Sequence, residues 1–257
     1  MEYLAICLAA FVVSGLTLFS GFGLGTLLLP VMALFFPVNL AVALTAVVHF
    51  LNNLFKLTLL GRFADRRAVL RFGLPAILAA LLGAWALAHL AQLPPLASYH
   101  FLGRELRVLP VKLVVALLMV AFVLFELLPG LARLSFRKQY LPLGGLLSGF
   151  FGGLSGHQGA LRSAFLLQAG LSKESFIGTG VVISLMVDLP RLVVYFLEFP
   201  DQDFQGAAPL LVTAVLAAFA GAWLGNRLLT KVTLRFLQIL VALMLCAIAL
   251  GLGSGLI

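Results

Sequence analysis

Two glycine-broken stretches of apolar residues, each too long for one simple span, limit what this chain can fold into. Residues 3–36 contain Gly21-Phe22-Gly23-Leu24-Gly25, and residues 141–170 contain Gly152-Gly153-Leu154-Ser155-Gly156-His157-Gln158-Gly159. As unbroken helices each would reach about 45 Å, well beyond the roughly 30 Å hydrocarbon core of a bilayer. Glycine is costly inside a helix and at home where the backbone must bend. Six other apolar blocks, at residues 38–60, 72–92, 111–132, 175–199, 207–229 and 234–256, are each near the roughly 20 residues of one transmembrane helix. The chain therefore reads as an all-α integral membrane protein, with residues 1–257 as one membrane domain.

Charge supports the same class. Only 10% of residues are charged and 63% are hydrophobic, with a mean hydropathy of +1.16; soluble domains carry roughly 25% charge. A net charge of +8 would point to nucleic acid in a soluble protein. Here the basic residues gather between apolar blocks, as in cytoplasmic loops, so the expected partner is the lipid bilayer and no nucleic acid. Cys7 and Cys246 lie within apolar blocks and read as small hydrophobes. No disulfide, metal site or cofactor is expected. Met1-Glu2-Tyr3 has no basic n-region, so the first block reads as a helix rather than a cleaved signal.

The loops give an expected topology. Arg62, Arg66, Arg67 and Arg71 against Asp65, then Arg133, Arg137 and Lys138, then Arg227, Lys231 and Arg235 mark inside loops, while Glu198, Asp201 and Asp203 suit the outside. The fifth block must then start and end inside, as a re-entrant hairpin bent at its glycines, and the first must do the same from outside. Arg104, Arg107 and Lys112 fit this scheme poorly, because they fall near an outer end. Each half becomes a broken hairpin followed by three helices, repeat 1 at 1–138 and repeat 2 at 139–257. Three is odd, so the second half is expected upside down relative to the first, a recurring plan of secondary transporters. At an offset of 135, His49, Asn53 and Lys56 align with Ser184, Asp188 and Arg191.

The polar residues inside the blocks share helical faces. His49, Asn52, Asn53 and Lys56 fall at i, i+3, i+4 and i+7, and Ser184, Asp188, Arg191 and Tyr195 at i, i+4, i+7 and i+11. Ionisable groups at membrane depth usually face the bundle interior and mark a substrate or proton path. The plainer alternative is that Asp188 pairs with Lys56 or Arg191 as a lock, or that Lys56 snorkels to the interface. The second break adds Ser155, His157, Gln158 and Arg162, and a helix starting at Gly159-Ala160 would present free N–H groups to an anion. Gly25-Thr26 offers a similar start. Lys56, Arg162 and Arg191 oppose only Asp188, so the expected cavity is net positive and its ligand a small anion. Asn52, Asn53, Ser155 and Gln158 would supply neutral hydrogen bonds; His49, His157 and Asp188 are the candidates for proton coupling.

Other residues read as structural. His89, His100, Trp85 and Trp223 suit interfaces or packing, and Pro30, Pro37, Pro129 and Pro190 kinks or helix ends. Gly21-Phe22-Gly23 lacks the strand and downstream unit of a dinucleotide site. Gly153-Leu154-Ser155-Gly156 resembles the rhomboid protease serine motif, with His49 and Asn53 resembling that family's oxyanion pair. However, no histidine follows His157, and a histidine two residues from Ser155 is expected to make a poor base. No catalytic residue is assigned.

The sequence Gly21-Phe-Gly-Leu-Gly-Thr-Leu-Leu-Leu-Pro30, with Gly152-Gly-Leu-Ser-Gly-His157-Gln-Gly-Ala-Leu-Arg162 and Gly178-Thr-Gly180, resembles the TauE/SafE sulfite exporter family, also called TSUP permeases. The resemblance runs over nearly the whole chain. It implies a multi-pass permease of the bacterial inner membrane for sulfur-containing anions such as sulfite, thiosulfate or organosulfonates, with a homodimer a permitted assembly. His157-Gln158 departs from the small or apolar residues usual at that break. A channel or transporter for another small solute, a cation or a neutral molecule, is the alternative; a cation site would call for more carboxylates than Asp188.

Overall fold

Each apolar block forms helix, and the two glycine-broken blocks each form two. The computed structural model describes residues 2–20, 24–101, 103–132, 134–199, 202, 204–228 and 234–256. In chain order its helices are α1 (Glu2–Ser20), α2 (Leu24–Ala33), α3 (Val38–Leu60), α4 (Arg66–Gln92), α5 (Pro110–Leu127), the single turn α6 (Pro129–Ala132), α7 (Leu141–Ser155), α8 (Gly159–Leu166), α9 (Lys173–Glu198), α10 (Ala208–Leu228) and α11 (Leu234–Ser254). The all-α membrane class holds. Gly21, Phe22 and Gly23 lie outside the described residues, as do Arg133, Asp201, Asp203 and Lys231.

Local chemistry sets several boundaries. Asp65 caps α4 by accepting the Ala68 N–H at 2.7 Å, which starts that helix six residues earlier than its apolar pattern begins. Ser172 caps α9 in the same way, accepting from the Ser175 N–H. At the far end of α7, Gly156 takes a left-handed conformation at φ +83°, which L side chains rarely adopt. Block four does not run unbroken to 132: α5 stops at Leu127, and a separate turn starts at Pro129.

One element is not legible as helix or plain loop. Ala97–Phe101 (β1) and Arg104–Val108 (β2) form an antiparallel hairpin between α4 and α5. It docks on the end of α11, where Tyr99 donates to the Ser254 carbonyl at 2.5 Å. Arg107 pairs there with the exposed Glu105 at 3.1 Å. The basic residues that fit the loop scheme poorly thus belong in part to a folded hairpin, where strand pairing and not loop charge sets their place.

Burial is inverted relative to a soluble protein. Leu4, Leu78, Leu82, Leu197 and Leu250 are each more than 60% exposed, while His49, Asn52, Lys56, Asp188 and Arg191 are buried. That arrangement suits a hydrocarbon solvent outside and a polar site within. Among the described residues, Val38–Phe63, Arg66–Gln92, Lys173–Glu198 and Ala208–Gly225 are long and apolar enough to cross a bilayer; α1, α2, α5 and α11 contribute shorter apolar runs.

The bundle is closed by glycine seams. Helix α4 runs along α7, α1 along α10, α3 against α9, and α5 against α11. Gly145, Gly149 and Gly153 recur every fourth residue on α7. A Cβ on any of them would fall 2.1–2.3 Å from the carbonyl oxygen of Phe72, Ala76 or Ala80 on α4. Gly221 and Gly225 press α10 onto the carbonyls of Phe11 and Gly15 in α1 in the same manner. Small residues let helix backbones meet where lipid offers no hydrophobic drive for association. Exchanging α1–α5 for α7–α11 in order maps α4–α7 onto α10–α1, and maps the pairs α3–α9 and α5–α11 onto themselves.

Gly149→Ile should therefore wedge α4 from α7 and destabilise the protein by about 3 kcal/mol or more. Gly130→Ile, where nothing lies within 4 Å of the added carbon, should change little. Thermal unfolding of the two variants in detergent checks this, and equal midpoints would refute the seam.

Candidate functional site

The second break is the hub. Helix α7 ends at Ser155 and α8 begins at Gly159, and between them Gln158 is fully buried. Ser148 donates to the Gln158 carbonyl at 3.0 Å, so the bend is tied back to its own helix. The start of the other broken block comes to the same place: a Cβ at Gly25 would lie 3.4 Å from the Gly156 carbonyl oxygen and 3.8 Å from the His49 ring. Thr26 is buried beside it in sequence.

Asp188, on α9 and fully buried, is held from three elements. His49 of α3 donates through Nδ1 to Oδ2 at 2.6 Å. Arg191 donates through Nη2 to Oδ1 at 2.7 Å, and Gln158 through Nε2 to the same oxygen at 3.0 Å. Asn53, one turn from His49, sets its Nδ2 3.2 Å from Nε2 of that ring. The expected alternative partners of Asp188 were Lys56 and Arg191; the structure adopts Arg191 and adds His49. Arg191 also donates through Nη1 to the Gly152 carbonyl at 3.0 Å, and the Tyr195 hydroxyl donates to the Gly153 carbonyl. The Gly152 carbonyl also accepts the Gly156 N–H at 2.9 Å, so Arg191 adds a second bond there, while Tyr195 reaches a carbonyl of the last turn of α7, where intrahelical donors run out.

Two cations are differently placed. Arg162 of α8 donates through Nη1 to Ser184 at 2.5 Å and to Gln158 Oε1 at 3.4 Å, both neutral partners. Lys56 is 5% exposed and, among the described residues, has neither a hydrogen bond nor an ion pair. It feels the charge of Arg162. The Gly178-Thr179-Gly180 run explains part of this geometry. Gly178 lets α9 lie under the Leu60 carbonyl, Thr179 accepts the Asp65 N–H at 2.8 Å, and Gly180 leaves room beside Arg162 Nε.

Some candidates stand apart from this network. Asn52 accepts from Ser14 of α1 at 3.0 Å, and its buried Nδ2 has no partner among the described residues. Ser155 and His157 bond one another, with Oγ 3.0 Å from Nδ1. That corrects the expectation of poor geometry, because the left-handed Gly156 turns the two side chains together. Among the described residues the pair still lacks the orienting group of a nucleophile triad: His157 Nε2 has no partner there, its ring stacks on Phe122, and Ser155 also donates to the Phe151 carbonyl. Ser14, Ser148, Ser184 and Tyr195 were not among the candidate ligands. The signal for two of them was spacing: Ser184 lies four residues before Asp188, and Tyr195 lies four after Arg191.

A multi-pass bundle with lipid-facing leucines outside, and an ionic cluster sealed where broken helices meet, is an integral membrane protein. A family model described as Sulfite exporter TauE/SafE matches residues 5–252, nearly the whole chain, and the protein belongs to that family of membrane transporters. Comparisons with curated proteins and with solved structures found no match.

Asp188→Asn should leave His49 and Arg191 buried without their shared counter-charge, at a cost of about 3–5 kcal/mol. Ser155→Ala should cost only about 1 kcal/mol. Thermal midpoints in detergent compare them; an Asp188→Asn protein as stable as Ser155→Ala would mean that the carboxylate does not hold the site together.

Proposed function

We propose that the protein is a secondary transporter that exports small sulfur-containing oxyanions, sulfite first among them, across the bacterial inner membrane. The observation that carries this reading is the charge balance of the buried site. Three cations, Lys56, Arg162 and Arg191, stand against the single carboxylate of Asp188 among the described residues. Arg191 is committed to Asp188 and to the end of α7. Arg162 and Lys56 keep their charge to offer, and an uncompensated cation in a low-dielectric interior is costly until an anion joins it.

A sulfite ion would sit between Lys56 and Arg162, replacing the neutral Ser184 and Gln158 as partners of the guanidinium. Charge-assisted bonds to oxyanions are about twice as strong as neutral ones. The N–H groups at the starts of α8 (Gly159) and α2 (Gly25, Thr26) add partial positive charge nearby. The halves 1–138 and 139–257 are read as inverted repeats, a reading supported by the exchange that maps the helix pairs onto one another, so that rocking one against the other opens the site to alternate sides. Proton coupling is assigned to Asp188 and His49: protonating the carboxylate removes the anchor of both His49 and Arg191. His157 is a further candidate for that role. Organosulfonates and thiosulfate are chemically compatible substrates, since they present the same sulfur-bound oxygens.

Arg162→Gln and Lys56→Gln should each lower sulfite efflux from proteoliposomes by roughly 10- to 100-fold, the range for losing one charged hydrogen bond. Both proteins should still fold. A thermal-shift screen of wild type with sulfite, thiosulfate, sulfate, sulfoacetate and taurine should show stabilisation by the anions and none by sodium or potassium chloride. Wild-type efflux in both folded variants, or stabilisation by cations, would overturn the reading.

A further inference from the structure

We propose that the turn between α3 and α4 carries a second binding site, for the headgroup of an anionic phospholipid. A cleft of about 370 Å³ opens there, lined by Arg62 and Arg66 together with Val69, Leu70 and Val182. Its size falls within the roughly 300–1,000 Å³ of small-ligand clefts. The cleft lies between the end of one membrane-crossing helix and the start of the next, so its mouth sits at headgroup depth. Its deeper walls, Val69 and Leu70 of α4 and Val182 of α9, sit one turn further in, at the level of acyl chains.

Charge selects the occupant. Arg62, Arg66, Arg67 and Arg71 face one acid in this stretch, Asp65, and that carboxylate is committed to the Ala68 N–H. A soluble phosphate would use the arginines and leave the apolar walls unused. Leu70 and Leu74, both 55% exposed, continue those walls down the outside of α4 and give an acyl chain a track. Basic pockets between membrane helices recognise anionic headgroups for this combined reason. Beside the cleft the turn is tied to α9, because Thr179 of α9 accepts the Asp65 N–H and Gly178 of α9 lies under the Leu60 carbonyl. A bound lipid would therefore brace the α3–α4 turn against α9. The site is separate from the anion site and does not depend on it.

The test uses the purified full-length protein in detergent, with phosphatidylglycerol, phosphatidylcholine or inorganic phosphate added, read by thermal unfolding and by native mass spectrometry. Phosphatidylglycerol should stabilise and be retained, while the other two should not. The Arg62→Gln/Arg66→Gln protein should bind phosphatidylglycerol roughly 30-fold more weakly, as expected for two arginines near a membrane surface. Arg67→Gln/Arg71→Gln, which removes the same charge beside the cleft, should keep the response. The proposal fails if phosphatidylcholine or free phosphate stabilises as well as phosphatidylglycerol, if Arg62→Gln/Arg66→Gln responds like wild type, or if both double variants lose the response equally.

Discussion

A carboxylate buried in a membrane bundle stays ionised only if its neighbours supply the charge and N–H groups that water would have supplied. Asp188 meets that condition by drawing on three parts of the chain: His49 from α3, Gln158 from the break after α7, and Arg191 from its own helix. The polar architecture follows from this. Holding Gln158 fixes the bend, and holding His49 fixes α3 against α9. Arg191 then reaches past Asp188 to the end of α7, with the Tyr195 hydroxyl on the next carbonyl. The broken helix thus ends on its own Gly156 N–H cap, reinforced by two side chains.

That network requires backbones to approach unusually closely, and the glycine seams allow it. On α7 the residues facing α4 are Gly145, Gly149 and Gly153, while the neighbouring Gly152 and Gly156 lie toward Val187, Gln158 and Arg191. One helix thus uses two faces of small residues, one for tight packing and one to admit a guanidinium. The tight glycine packing, though not the second face, recurs where Gly221 and Gly225 of α10 meet α1. Packing of this kind resists gradual deformation.

The excess of cations gives the site its direction. Had Lys56 found a carboxylate, the cluster would read as a structural lock. Instead the carboxylate satisfies Arg191 and His49, leaving Arg162 with the neutral Ser184 and Gln158 and Lys56 without an ion pair among the described residues. The proposed anion site rests on this local electrostatics and agrees with membership of a sulfite exporter family. The Ser155–His157 contact is a reminder that hydrogen-bond distance does not make a catalytic pair, since nothing holds the second ring nitrogen.

Sequence by itself determined what depends on near neighbours. Apolar block length specified membrane helices, glycine and its free backbone specified the break after Ser155, and i, i+4 spacing put His49 with Asn53 and Asp188 with Arg191 on their faces. The four-residue glycine period of α7 was also there to be read as a packing face, although its partner helix was not. Tertiary structure alone decided which faces meet. It chose His49, 139 residues away, over Lys56 for Asp188, paired Asn52 with Ser14, folded Ala97–Phe101 and Arg104–Val108 into a hairpin, and left Arg162 with Ser184. Periodicity is a property of one helix, whereas the partner of a buried charge is set by the crossing of several, and that crossing is fixed by how closely their glycine faces can approach.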